Sequence, residues 1–247
     1  MGRSTVRSEA WRPDVVVLSC EHGGNEVPAR YLRLFERAGD MLDSHRGWDI
    51  GALGVARRFA EMASYPLIAC TFTRLLVEPN RSPDSGNLFS VYTKDLDDET
   101  QAAIKRDYYD RHRDSVERTI ADAIAAGRRV LHVGVHSCTD QLDGHLRDLD
   151  VSLLFDPDRA SERDVCEAWN PEIARLEPAW RLPFNQPYKG TDDGLTTWLR
   201  GRLPADMYAG VEVEVRQGLI LEPPAQRRVG QVLADGLRSA LKAMPKA

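Results

Sequence analysis

The sequence holds no run approaching the roughly 20 consecutive apolar residues that a membrane-spanning helix needs. Its first residues, MGRSTVRSEAWRPD, carry arginines but no apolar stretch of the kind a secretory signal has, and Val6 stands where an N-myristoylation signal has Ser or Thr. These absences predict a soluble, cytoplasmic protein with no membrane partner. Cysteine is scarce as well. Cys20, Cys70, Cys138 and Cys166 lie far apart and form no CxxC pair, so neither a disulfide framework nor a zinc knuckle is expected. Basic charge is not in excess: 33 Lys and Arg against 38 Asp and Glu give a formal charge of -5, which argues against a nucleic-acid surface built from bulk charge. Repeats, low-complexity tracts and linker-like segments are also missing. A single domain over residues 1–247 is the expected organisation.

What is present is an alternation of apolar runs and amphipathic stretches. Strands are expected at about 14–20, 66–72, 130–136, 151–155 and 210–216, three of them rich in valine. Helices are expected over DIGALGVARRFAEMA (49–63), over a long charged stretch at about 96–126, and at about 224–243 after Pro223-Pro224. Asp95, Asp97, Asp98 and Glu99 suit the start of the long helix, and Gly127 its end. Strands that alternate with helices imply a mostly parallel sheet covered on both faces, a three-layer α/β/α fold. Such folds bind ligands at the C-terminal ends of their strands. The run at 15–20 leads into Cys20-Glu21-His22, VLHVGVHSCTD leads to His136, and GVEVEVRQG ends with Glu214 and Arg216.

In CEHGGNEVP (20–28) two glycines let the backbone turn sharply, so that His22 and Glu26 can converge. Two histidines and a carboxylate leave one position of a zinc ion open, as in catalytic rather than structural sites. The expected ligand set is His22, Glu26 and His136, with Glu21, Asn25, Cys20 and Cys138 as rival donors. His132 shares a strand face with His136 but lies deeper, as a core histidine would. In EVEVR, alternation puts Glu212, Glu214 and Arg216 on one face and three valines on the other. Such a face belongs either to an edge strand in water or to a strand whose charges are used. In the second case Glu214 is the general base for a metal-activated water, and Arg216 serves a substrate carboxylate or oxyanion.

TRLLVEPNRSPDSGNLFS (73–90) places Arg81 beside Asn80, a pairing suited to a carboxylate, and Arg74 can act in the same way. In DSHRGWDIGA (43–52), Asp49 suits the cap of the following helix, and His45 is a candidate substrate contact. NQPYKGTDDGLTTWLR (185–200) reads as a loop entering a helix capped by Thr191 or Asp192. Asn185, Tyr188 and Gly190 would form a substrate-facing lid.

In this order the segments EHGGNEVP, HRGWDIGA, TRLLVEPNRS, HVGVHSCTD, DGHLRDLDVSLLFDP, NQPYKGTDDGLT and VEVEVRQGLI resemble the N-formylglutamate amidohydrolase family over about residues 15–221. The resemblance implies a phosphorylase/hydrolase-like fold akin to zinc carboxypeptidases and one zinc ion. It also implies a small-molecule substrate, an N-acyl amino acid whose amide is hydrolysed, with N-formyl-L-glutamate first among candidates. Carried over residue by residue, it makes His22 and His136 metal ligands, gives Asn80 and Arg81 the substrate carboxylate, and matches Glu214 to the carboxylate before the family's arginine. Three residues separate His22 from Glu26, where zinc carboxypeptidases have two, and Glu78-Pro79 replaces an expected aspartate and apolar residue. A carboxypeptidase, a deacylase of another N-acyl amino acid and a metal-free carboxylate-binding protein are the alternatives left open.

Overall fold

β-Branched side chains fit a pleated surface that is covered on both sides, and the three valine-rich runs become the centre of a five-stranded sheet. The computed structural model describes residues 11–142 and 144–245; most of the N-terminal stretch read for targeting signals lies outside them. β1 (Val15–Cys20) pairs in parallel with β2 (Leu67–Ala69) on one side and with β3 (Val130–Cys138) on the other. The short hairpin β4 (Gln141–Leu142) and β5 (His145–Leu146) follows β3. β6 (Val151–Leu154) closes the far edge antiparallel to β7 (Tyr208–Arg216), which is itself parallel to β3, giving the order β2-β1-β3-β7-β6. The sheet is mostly parallel and mixed, as the alternation of elements predicted.

Helices cover both faces. After the short α1 (Gly39–Leu42), α2 (Ala52–Ala63) packs with α5 (Ala160–Leu176) and α7 (Pro223–Ala243) on one face. There Val16, Leu18, Val133, Val135, Val211 and Val213 meet Val55, Phe59, Trp169, Leu233 and Leu237. The expected helix at about 96–126 is a continuous run of α3 (Asp98–Ile104), a π-helical stretch (Lys105–Asp110) and α4 (Arg111–Ala125). Val116 and Ile120 of α4 join Leu199 of α6 (Leu195–Arg200) over Val17, Val130 and Tyr208 on the second face. The two layers of helix and the sheet make the three-layer α/β/α fold. No helix among the described residues is long and apolar enough to cross a membrane.

The second face of the sheet carries the polar candidates. Its apolar residues, Val17, Val130 and Tyr208, sit toward one end, whereas His136, Glu212 and Glu214 occupy the C-terminal parts of β3 and β7. Since β7 lies between β3 and β6, its carboxylates are not on a solvated edge strand; Glu214 is buried. A satellite core of Tyr31, Phe35, Leu76, Val77, Leu88 and Tyr109 fixes the loop after β2.

Two expectations are corrected, and one helix is added to them. β2 is much shorter than 66–72 because the backbone beyond it bonds to the turn after β1, through Glu26 N–H to Thr71 O (3.0 Å) and Thr73 N–H to Glu26 O (2.9 Å). α6 starts after Gly194, and its Leu195 N–H donates to Asn80 Oδ1 (2.7 Å), so neither Thr191 nor Asp192 caps it. α5, with Pro171 inside it, was not anticipated.

His132 is the core histidine its position suggested: Nε2 lies 2.8 Å from Ser19 Oγ, and Nδ1 lies 2.9 Å from Tyr208 OH. Burial holds its pKa down at about 4. A histidine pKa below its unfolded value contributes stability that is fully present above the unfolded value of 6.5 and lost as pH falls through about 4. Ser19→Ala and Tyr208→Phe each strand a buried ring nitrogen and are expected to cost about 1–3 kcal/mol in urea unfolding at pH 7. His132→Asn should flatten the loss of stability between pH 6.5 and 4 relative to wild type; an unchanged slope would remove His132 as its source.

Candidate active site

β1 delivers Glu21 and His22 to a turn in which two glycines allow backbones to meet. A Cβ at Gly24 would fall 2.3 Å from Thr71 O, and one at Gly23 2.8 Å from Cys70 O. The same close approach carries Glu26 away from the histidines. Its backbone bridges to Phe72, and its exposed carboxylate accepts from Thr71 Oγ1 (2.9 Å). The expected third ligand therefore does not converge with His22 and His136. Asp49 does, from the turn leading into α2, where Gly51 adopts φ 84°.

Asp49 Oδ2 lies 3.3 Å from His22 Nδ1 and 3.0 Å from His136 Nδ1. Each imidazole meets a second carboxylate on its other side: His22 Nε2 is 2.5 Å from Glu78 Oε1, and His136 Nε2 is 3.1 Å from Glu21 Oε2, off the line of a straight hydrogen bond. Glu21 also faces His112 Nε2 at 3.4 Å. Arg74 donates through Nε to Glu78 Oε2 (2.6 Å) and through Nη1 to Asp49 Oδ1 (3.5 Å). Leu76 and Val77 are fully buried in the satellite core, which leaves Arg74 and Glu78 to project the other way.

Burial by itself would raise these carboxyl pKa values, and their partners reverse it. His22 and His136 hold Asp49 far below the carboxylate range, Arg74 and His22 do so for Glu78, and His112 and His136 do so for Glu21. The histidines respond in kind. Against burial, Asp49 and Glu21 raise His136 well above its ordinary value, and Glu78 and Asp49 raise His22 against burial and Arg74. Protons held by two facing histidines amid surplus carboxylate are what a divalent cation would displace. His22, Asp49 and His136 offer two nitrogens and an oxygen within 4.8 Å of one another, a donor set that suits zinc with a position open to substrate.

Glu214 pairs in register with His136 and faces the same cavity, of about 260 Å³. Among the described residues its carboxyl has no side-chain hydrogen-bond partner, whereas Glu212 accepts from Thr196 Oγ1 at 2.9 Å. Burial, reinforced by Asp49 and Glu212, pushes the Glu214 pKa up to about 8. A larger groove of about 1080 Å³ between β2 and α4 shares no wall residue with this cavity and lacks the converging His–Asp–His cluster.

The remaining candidates divide. Arg81 lines the cavity and spends Nη1 on Asn80 O (2.7 Å) and Asp193 O (3.0 Å); Asn80 lines it too while bonding α6. His45 stands exposed at the rim, its pKa lowered by partial burial and by Arg46, Arg147 and Arg74. Tyr188 lines the wall and accepts from Arg147 Nη2 at 3.0 Å. Arg74 is tied to two buried carboxylates. Arg216 is absent from the cavity wall because Asp150 (2.8 Å) and Asp140 (3.3 Å) claim its guanidinium at the end of β7. Sequence reasoning treated Asp49 as a cap and Glu78 as a departure from pattern, kept Glu21 only as a rival donor, and passed over Arg147. The available signal for Glu21 and Glu78 was a charge set in an apolar run, costly unless paired.

A family model described as N-formylglutamate amidohydrolase matches residues 15–221. The chain belongs to the N-formylglutamate amidohydrolase family. As a member it is an amidohydrolase, an enzyme that hydrolyses amides, and the match spans every residue of the His–Asp–His cluster and Glu214. Gene product Atu2144 of Agrobacterium tumefaciens is similar at 31% identity and TM-score 0.81, over 95% of this chain and 92% of that one. The N-formylglutamate amidohydrolase of Ralstonia eutropha JMP134 shares the fold at TM-score 0.63 and 21% identity, over 95% of this chain and 94% of that one. No curated protein sequence matches.

In chelator-treated amidohydrolase, the Glu214 contribution has a defined sign. A carboxyl pKa raised from 4.5 to about 8 favours folding below 4.5, and that contribution is lost as pH rises through about 8. Glu214→Gln should match wild type in stability near pH 4.5 and exceed it by on the order of 5 kcal/mol at pH 9. Thermal unfolding across this range checks it; a constant difference between the two proteins would contradict the buried, protonated carboxyl.

Proposed function

We propose that the protein is a zinc-dependent hydrolase of N-acyl amino acids that converts N-formyl-L-glutamate to L-glutamate and formate. The observation that carries this proposal is the Asp49 carboxylate shared by two histidines, each backed by another carboxylate, beneath a small cavity reached by Glu214 and Arg81. A zinc ion held by His22, Asp49 and His136 would supply a Lewis acid for the amide carbonyl and a water activated for attack. Glu78 and Glu21 fix the orientation of the two rings through their far nitrogens.

Glu214 takes the proton from the attacking water as the oxygen bonds to the formyl carbon. It then delivers that proton to the amide nitrogen as the C–N bond breaks, leaving formate and a free amine. Burial lifts this carboxyl's pKa, and a cation at the His–Asp–His cluster would bring it back toward neutrality, where a carboxyl suits both halves of that transfer. Among the described residues Arg81 uses a single nitrogen, on backbone carbonyls, which leaves the rest of its planar fork to hold the α-carboxylate and align the amide. The volume of about 260 Å³ suits a molecule of amino-acid size. Arg74 serves by holding Asp49 and Glu78 in place, and Glu26 and Arg216 take no part.

Elemental analysis of purified protein together with a formate-release assay tests this. Wild type is expected to hold about one zinc per chain and to release formate. His136→Ala and Asp49→Asn lose the metal. Glu214→Gln keeps it while kcat falls by about 10²–10⁴-fold. Glu26→Gln stays near wild type in both. A protein that takes up no zinc when supplied and releases no formate would end this proposal.

A further inference from the structure

Four cationic side chains line the cavity: Arg74, Arg81, Arg147 and Lys189. Arg74 is neutralised by Glu78 and Asp49, and Arg81 is assigned above to the α-carboxylate. Lys189 is exposed, so its ammonium keeps its water. Arg147 differs from all three. Its guanidinium stacks on the Tyr188 ring at 5.1 Å and donates through Nη2 to the Tyr188 hydroxyl, which fixes its plane. Its Nη1 is buried with no acceptor among the described residues, and none of their carboxylates lies within ion-pair distance. The nearby Cys138 thiol does not satisfy it. A thiol sulfur is a weak acceptor, and this one is not in hydrogen-bond geometry with Nη1. A buried donor on an oriented fork is costly until an acceptor arrives, and a planar carboxylate is the acceptor it fits.

We propose that Arg147, delivered by the segment following the β4–β5 hairpin, is the specificity-determining residue that binds a second carboxylate, the one on the substrate's side chain. The inference rests on the hydrolase proposal for its reaction but not for its chemistry of recognition. Arg81 and Arg147 then hold the two ends of a dicarboxylic substrate while its amide faces Glu214. The neutral isostere N-formyl-L-glutamine would leave the Arg147 charge without a counterpart.

The test compares wild type, Arg147→Gln and Arg147→Lys, each checked for zinc content and thermal midpoint, on N-formyl-L-glutamate and N-formyl-L-glutamine. Wild type should favour the glutamate compound by on the order of 10²-fold or more in kcat/KM. Arg147→Gln should lose most of that preference, mainly through KM for the glutamate compound, while Arg147→Lys retains part of it. An equal loss on both substrates would overturn the proposal: carried in kcat it would put Arg147 at the reacting carbonyl, and carried in KM at the α-carboxylate. Calorimetric binding of glutarate against butyrate separates recognition from reaction. If wild type releases no formate yet its preference for glutarate disappears in Arg147→Gln, the hydrolase proposal fails and the Arg147 assignment stands. Formate release with an undiminished glutarate preference in both Arg147 variants gives the reverse. Should Arg147→Gln not fold, Arg147→Lys carries the same comparison, and full retention of selectivity there would also count against the assignment.

Discussion

The Asp49 carboxylate, buried and shared by two imidazoles, is the constraint on which the rest of the centre depends. A buried carboxylate is costly unless oppositely charged or donating groups surround it. Here the compensation comes from distant parts of the chain: His22 after β1, Arg74 after β2, and His136 on β3. Glu78 and Glu21 then meet the far sides of the histidines, and His112 on α4 meets Glu21. Removing one member strands the charge of another. The cluster therefore ties the loops at this end of the sheet to one another.

The sheet divides its labour by face. Alternation along β7 sends three valines into the core under α2, α5 and α7, and sends two glutamates the other way. On the first face nearly everything is aliphatic or aromatic. On the second, apolar contacts with α4 and α6 are confined to one end, which leaves the ends of β3 and β7 for polar groups held by one another. The main apolar core and the buried polar cluster thus lie on opposite sides of the same strands.

Much of this was legible in the chain. The valine runs, the alternation in EVEVR and the histidines at the ends of β1 and β3 gave the mixed, mostly parallel sheet and the edge at which His22, His136 and Glu214 come together. Where the sequence misled, the reason is long-range. Glu26 looked like a ligand because it is near His22 along the chain, but a backbone bridge to Phe72 sets its direction. Arg216 looked available on the strand alone, and the neighbouring Asp150 takes it. Asp49 looked like a helix cap because nothing local reveals that two strand ends converge on it. Arg147 acquires its place only from a hairpin and a tyrosine some forty residues further along.

The position of β7 has a consequence for how the protein is made. β1, β2 and β3 can pair as soon as residue 138 has left the ribosome, but β6 has no neighbour in the sheet until residues 208–216 arrive to fill the gap beside β3. Through that interval the growing chain carries an open parallel edge at β3, the kind of surface on which nascent chains associate wrongly. The strand that closes the gap also brings Glu212 and Glu214. Completion of the sheet and arrival of these two carboxylates are thus one event, and a chain ended before β7 would retain the two histidines without the glutamates beside them.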